Sequence, residues 1–197
     1  GGARTSQLRL AHRPAAQRPP AAGGRAGGAV FTTRAAGLAG PGLEGARVLD
    51  LWEGTGALGF EALSRGGRHC QFVDESAEAR GLVRTNADKL GVIGQCKIWR
   101  RDATDLGPCA PLPKFDLVFS DPPYGKGLGV KSLNSLVQGQ WLNAGAIVLL
   151  EEVDKAEVPE IAGLTVIDGR SSGEPGVRFY VPAYLVLRHS PRMGVDR

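Results

Sequence analysis

From Ala46 onward, short apolar runs alternate with longer amphipathic stretches. Arg47-Val-Leu-Asp-Leu51, Cys70-Gln-Phe-Val-Asp74, Gln95-Cys-Lys-Ile-Trp99, Phe115-Asp-Leu-Val-Phe119 and Ala146-Ile-Val-Leu-Leu150 each predict a buried strand. A glycine turn, Gly54-Thr-Gly56-Ala-Leu-Gly59, follows the first run and leads into a helix through Phe60-Glu-Ala-Leu-Ser64, closed by Gly66-Gly67. Residues 76–90 predict a second helix with Ala79, Leu82, Val83 and Leu90 on its apolar side, and residues 128–138 a third. Leu164-Thr-Val-Ile167 and Val177-Arg-Phe-Tyr-Val181 read as a closing pair of strands around a Gly/Ser-rich turn. Strands alternating with helices predict an α/β domain, a mostly parallel sheet covered on both faces. Such sheets bind ligands beyond the carboxyl ends of their strands.

Residues 1–42 break this pattern. Gly, Ala, Pro and Arg dominate, and no apolar period is sustained. Three readings are open: a flexible basic RNA-binding arm, an organelle transit peptide, or a start translated in the wrong frame. The expectation is a segment that is disordered or out of frame, followed by one domain over residues 43–187 and a tail over 188–197. Charge divides along the same lines. Residues 1–45 carry a net +5 and residues 188–197 a net +2; the whole chain is +4, so residues 46–187 carry −3. The basic ends could hold nucleic-acid phosphates or could be plain solvated tails.

With 197 residues there is enough chain for a sizeable core. No apolar run is long enough to span a membrane. Cys70, Cys96 and Cys109 form no CxxC pair and read as reduced packing thiols of an intracellular protein. His12, His69 and His189 lack ligand spacing, so no metal site is expected.

The candidate chemistry gathers at predicted strand ends. Asp121-Pro122-Pro123-Tyr124 follows the fourth strand and suits transfer to an exocyclic amino group on a flat ring. That nitrogen is a poor nucleophile, and acceptors for its protons help it become tetrahedral. Asp121 offers a carboxylate and Pro122 a carbonyl freed by the prolines. Pro123 stiffens the turn, and Tyr124 offers a face on which a flipped-out base can stack. Gly54-x-Gly56-x-x-Gly59 between strand and helix fits a dinucleotide fingerprint, with Asp74 placed to grip a ribose. NAD and S-adenosylmethionine both satisfy it. Asp50 stands four residues before Gly54, where it could meet a cationic amino group, which a pyrophosphate lacks. Asp102, followed by Ala103, could accept from an adenine amino group. Its other reading is a helix cap, and that of Asp50 a solvated strand end.

The stretch Val48-Leu-Asp-Leu-Trp-Glu-Gly-Thr-Gly-Ala-Leu-Gly-Phe-Glu-Ala-Leu-Ser-Arg-Gly, with Asp121-Pro-Pro-Tyr downstream, resembles the bacterial small-subunit ribosomal RNA guanine-N2 methyltransferases. The resemblance covers roughly residues 43–187. It implies a Rossmann-like methyltransferase fold of seven strands with a final antiparallel strand, using S-adenosylmethionine. It also implies methyl transfer to the 2-amino group of a guanine in 16S ribosomal RNA or an assembling small subunit. A cytoplasmic location is expected, and the oligomeric state is open, with a monomer as the default. The carried-over cofactor residues are Asp50, Gly54, Thr55, Gly56, Asp74, Asp102 and Ala103, and the catalytic ones Asp121, Pro122, Pro123 and Tyr124.

Two departures stand out. Family members usually have an aromatic and then a small residue before the first glycine; here these are Trp52 and Glu53. A carboxylate at Glu53 would face the region of the cofactor's own carboxylate and cost affinity. Members also carry an N-terminal basic hairpin and an Arg-Pro-Thr-x-x-x-(Arg/Lys)-Glu-like stretch, which residues 1–42 lack. Three alternatives remain: an amino methyltransferase acting on DNA or protein, an inactive protein of this fold, and an NAD-dependent oxidoreductase, in which Asp-Pro-Pro-Tyr has no role.

Overall fold

The computed structural model describes residues 43–52, 54–123, 126–151, 158–168 and 177–183. The segments expected at residues 1–42 and 188–197 lie outside them, as do Glu53 and Tyr124.

The strands are β1 (Arg47–Leu51), β2 (His69–Val73), β3 (Cys96–Trp99), β4 (Phe115–Ser120), β5 (Leu142–Glu151), β6 (Leu164–Asp168) and β7 (Val177–Pro182). The helices are α1 (Ala57–Ser64), α2 (Ala77–Leu90) and α3 (Leu128–Gln138). The sheet order is β3-β2-β1-β4-β5-β7-β6. Pairs from β3 through β5 are parallel, and β7 runs antiparallel to both β5 and β6. This is the expected architecture: a mostly parallel seven-stranded sheet with one antiparallel strand.

Two apolar clusters cover the two faces. Val48, Phe72, Leu117, Phe119 and Leu149 pack with Phe60 of α1 and Val83 of α2. Leu49, Leu51, Val118, Val148 and Leu150 pack on the other face with Leu133 and Leu136 of α3 and with Trp141. Alternate residues of a strand leave opposite faces, so near-continuous apolar runs are what a sheet buried on both sides requires. Trp141 is fully buried and Trp99 packs beside it at 86°, so both are packing aromatics. The cysteines are free thiols, and burial pushes that of Cys96 up to about 11.

Several boundaries differ from the sequence reading. Helix α1 starts at Ala57, inside the glycine stretch. Asp74 falls just past β2, and Ser76 caps α2, accepting from the Ala79 N–H. β5 starts earlier, at Leu142, because a register irregularity between Phe115 and Leu117 lets its first residues pair. On α2 the buried residues are Ala79, Val83, Asn86 and Ala87 rather than Leu82.

Close approach of α1 to the sheet depends on Gly59. A Cβ there would stand 2.6 Å from Phe72 Cε1 and 2.7 Å from Cys70 Sγ. Gly81, in the middle of α2, has open space around it. Gly81→Ala is therefore expected to stabilise the protein by about 0.5–1 kcal/mol through helix propensity. Gly59→Ala gains the same propensity but overpacks a filled core, for a net loss of about 1–2 kcal/mol. Chemical denaturation of both variants checks the opposite signs.

Candidate active site at the carboxyl ends of the strands

The site is assembled where β1, β2 and β4 end. Asp50, the fourth residue of β1, is 4% exposed, and its Oδ2 accepts the Gly59 N–H at 3.0 Å. That N–H lies in the first turn of α1, where backbone donors have no partner inside the helix. The residue before α1 is Gly56, which has no side chain to cap it. Asp50 supplies the cap from the neighbouring strand. Gly54 and Gly56 turn the chain with φ of 53° and 76°, in the region that favours glycine. A side chain at Gly56 would also collide with the Phe60 ring.

Asn86 locks the turn from the other side. It is fully buried, and its Nδ2 donates to the Thr55 carbonyl at 3.1 Å. The sequence reading missed it. The available signal was a polar residue three positions after Val83 and seven after Ala79, on the apolar face of a helix.

Three acids converge here. Burial drives the Asp50 carboxyl well above the usual carboxylate range, against the pull of the Gly59 N–H, and the nearby Asp121 and Asp74 carboxylates push it further up. Asp74 folds back on its own chain, Oδ1 accepting the Ser76 N–H at 2.8 Å, and Oδ2 takes no part in that turn.

Asp121 and Pro122 follow β4 directly. Pro122 is buried, Asp121 half-buried and Pro123 exposed. A hydroxyl chain fixes their height. The Ser132 hydroxyl donates to the Gly129 carbonyl at 2.8 Å, so the Ser120 hydroxyl donates to Ser132 Oγ, at 2.9 Å. Ser120 is the last residue of β4 and Ser132 lies on α3, so this chain ties helix to strand beneath the Asp121 turn. Lys126, after the motif, is exposed.

Asp102 is not a helix cap. Its Oδ1 accepts both the N–H and the hydroxyl of Thr104, at 2.8 and 2.7 Å, in a local turn with no helix behind it. Ala103 is buried in the cluster on the α3 face, against which Trp52 also packs. That shared packing brings the loop after β3 towards the end of β1. Arg101 lies 4.4 Å over the Trp99 ring and donates to the Leu106 carbonyl.

Two further residues lie at the same strand ends and were not singled out as binders. Trp52 has φ 64°, unusual for a bulky side chain, and its buried indole N–H has no acceptor among the described residues. Glu151 ends β5 level with Asp121, since Ser120 pairs with Leu150, and it is only 8% exposed. An acid at the end of an apolar run was the signal for it. Among the described residues no group of His, Cys, Asp and Glu could hold a metal ion, and no helix is long and apolar enough to cross a membrane.

The model of a family described as "Conserved hypothetical protein 95" matches residues 1–181. A Bacillus subtilis (strain 168) protein named "Putative rRNA methyltransferase YlbH" is 35% identical over 147 residues, covering 73% of this chain and 79% of that protein. The "Ribosomal RNA small subunit methyltransferase D" of Haemophilus influenzae is 30% identical over 136 residues, 67% of this chain and 69% of the relative. Among solved structures, "Putative methyltransferase yhhF" from Escherichia coli superposes with a TM-score of 0.65 at 26% identity, covering 78% of this chain and 83% of that one. A match over nearly the whole sequence, relatives covered over most of their length and a shared fold lead to one conclusion: the chain belongs to this family, that of the bacterial small-subunit ribosomal RNA methyltransferases.

Proposed function

We propose that this chain methylates the exocyclic 2-amino group of a guanine in 16S ribosomal RNA, with S-adenosylmethionine as methyl donor. The observation that carries the reading is the arrangement of Asp121-Pro122-Pro123 beside the capped glycine turn of β1, close enough for Asp121 to disfavour the Asp50 charge. The names of the relatives support ribosomal RNA as the substrate class.

The residues present fit the methyl donor. The Asp50 carboxylate is desolvated and, among the described residues, bonded only to a neutral backbone donor, so a cationic amino group would relieve it. The orphaned Trp52 indole N–H suits a carboxylate oxygen. Gly54 and Gly56 keep bulk out of the turn, and the half-buried Asp74 carboxylate suits ribose hydroxyls. A pyrophosphate, as in NAD, would meet acids here instead. S-adenosylmethionine supplies an electrophilic methyl group.

Asp121 and the Pro122 carbonyl accept hydrogen bonds from the amino protons of the base and aim its lone pair. Asp121 need not be a strong base, because the amino proton becomes acidic as the nitrogen takes on its fourth bond. Tyr124 stacks on the base and Pro123 limits the turn's freedom. Most of the rate comes from orientation and exclusion of water. Transfer of labelled methyl groups to unmethylated small subunits, followed by nucleoside analysis, tests the reading; label in any product other than N2-methylguanosine overturns it.

Three outcomes are expected. Asp121→Ala loses turnover by about 100-fold or more while calorimetric S-adenosylmethionine affinity stays near wild type. Collapse of cofactor binding in that variant would mark Asp121 as structural. Tyr124→Ala weakens RNA binding by about 1–3 kcal/mol without changing cofactor affinity. The third concerns Asp50. Its carboxyl titrates higher in the folded than in the unfolded chain, so the folded state binds more protons and stability falls as pH rises above about 4. Asp50→Asn removes that loss, so the ligand-free variant gains thermal stability over wild type as pH rises, yet binds S-adenosylmethionine more weakly. Parallel pH profiles of the two proteins would show that this carboxyl is not the source.

A further inference from the structure

The amino ends of the strands carry the opposite charge from the site. Arg47 opens β1, and its guanidinium lies 4.9 Å over the Phe115 ring. His69 opens β2 in register with Arg47, and its ring lies 6.5 Å from the same phenyl ring. Arg68 comes one residue earlier, its N–H donating to the Ala46 carbonyl at 2.9 Å, beside Arg47. Lys97 is on the edge strand β3, in register with Gln71, two residues along from His69. Lys114 immediately precedes β4. Arg68, Lys97 and Lys114 are exposed, and Arg47 is half-buried.

These cations are close enough to act on common groups. Burial lowers the His69 imidazole from its usual value, and the charges of Arg47, Lys97 and Arg68 lower it further, against a hydrogen bond with the Gln71 side chain. Burial and then Arg68 lower the Arg47 guanidinium. Arg47 and Lys114 both act on the Cys109 thiol, pulling it down against burial. Asp116 and the exposed Glu44 offset part of this charge. The Asp116 oxygens already accept the Arg47 N–H at 2.9 Å and Asn143 Nδ2 at 2.8 Å.

β4, β1, β2 and β3 are successive in the sheet, so the patch from Lys114 to Lys97 spans about 14 Å. It stands behind the acidic site by the length of β1, about 17 Å for five residues. Residues 46–187 carry a net −3, so this concentration of cations is not the overflow of a basic domain. Exposed lysine and arginine side chains suit phosphates, which position a nucleic acid without reading its bases.

Resting on the ribosomal RNA reading, we propose that Arg68, Lys97 and Lys114, backed by Arg47, form a second RNA contact that holds backbone phosphates of a segment other than the one presenting the target base. The patch anchors the substrate, while Asp121 and the Pro122 carbonyl handle the amino group at the other end of the sheet.

The test uses the full chain, the double variant Arg68→Ala/Lys97→Ala and two charge reversals, Lys97→Glu in the patch and Arg84→Glu on the exposed side of α2. Each is titrated with unmethylated small subunits and with a naked 16S ribosomal RNA transcript over a range of KCl. The double variant is expected to bind both about tenfold more weakly, and its log affinity to fall less steeply with log salt, by about 1.4–1.8 for two phosphates. In methyl transfer to subunits its KM rises while kcat holds. Its S-adenosylmethionine affinity and melting temperature stay at wild-type values, because both side chains are exposed. Lys97→Glu weakens RNA binding and Arg84→Glu, with the same change in net charge, does not. Equal losses in the two reversals would reduce the effect to general repulsion and overturn the proposal. Wild-type affinity and salt slope in the double variant overturn it too. So does a loss towards subunits with the naked transcript unaffected, which would assign the patch to a protein of the subunit. If the wild type binds neither RNA, the ribosomal RNA reading itself fails and the patch proposal falls with it.

Discussion

The hydrogen bond from the Gly59 N–H to Asp50 holds this site together. It is a cap given across space, from the end of a central strand to the first turn of a helix. A side chain at Gly56 could not have provided it, because a Cβ there strikes Phe60. One buried carboxylate thus does the work of an N-cap residue and leaves the turn free of bulk. The arrangement depends in turn on Gly59, whose missing side chain lets α1 sit against Phe72 and Cys70. Asn86 closes the other side through the Thr55 carbonyl. Strand, turn and both helices of that face are therefore set by a handful of polar contacts inside an otherwise apolar core.

The same contacts give the site its electrical character. Asp50, Asp74 and Asp121 come from three strands and meet beyond their ends, in a folded region whose net charge is negative. A pocket of this kind rejects anions at its centre and accepts a ligand that brings its own positive charge. Nucleic acid has to be met further out, by cations placed away from the acids.

Much of this was legible in the chain. Runs such as Val48-Leu-Asp-Leu51 and Phe115-Asp-Leu-Val-Phe119 have one reading in a sheet buried on both faces, and the glycine spacing names the turn between strand and helix. The position of Asp121 at a strand end followed from the prolines. What stayed hidden were polar residues whose partners are remote in sequence. Asn86 bonds a carbonyl 31 residues away, so no local pattern announces it. Trp52 looked like a departure from a motif, because a left-handed backbone and an orphaned indole N–H exist only in three dimensions. The helix-cap reading of Asp102 gives way to a local turn: its nearest donors belong to Thr104, and short side chains turn to local donors first.

The position of β7 governs how the chain can be made. β5 pairs on one edge with β4 and on the other with β7, which lies between it and β6 although β6 precedes it in sequence. During synthesis, β6 therefore emerges with no place in the sheet. The outer edge of β5, with its buried Ala146-Ile-Val-Leu-Leu150 run, stays open until residues 177–182 arrive and slot in antiparallel. An exposed apolar edge is the feature that invites pairing with other chains. The nascent protein is thus most vulnerable over its last strand, and any truncation that removes β7 leaves a half-sheet with an adhesive side.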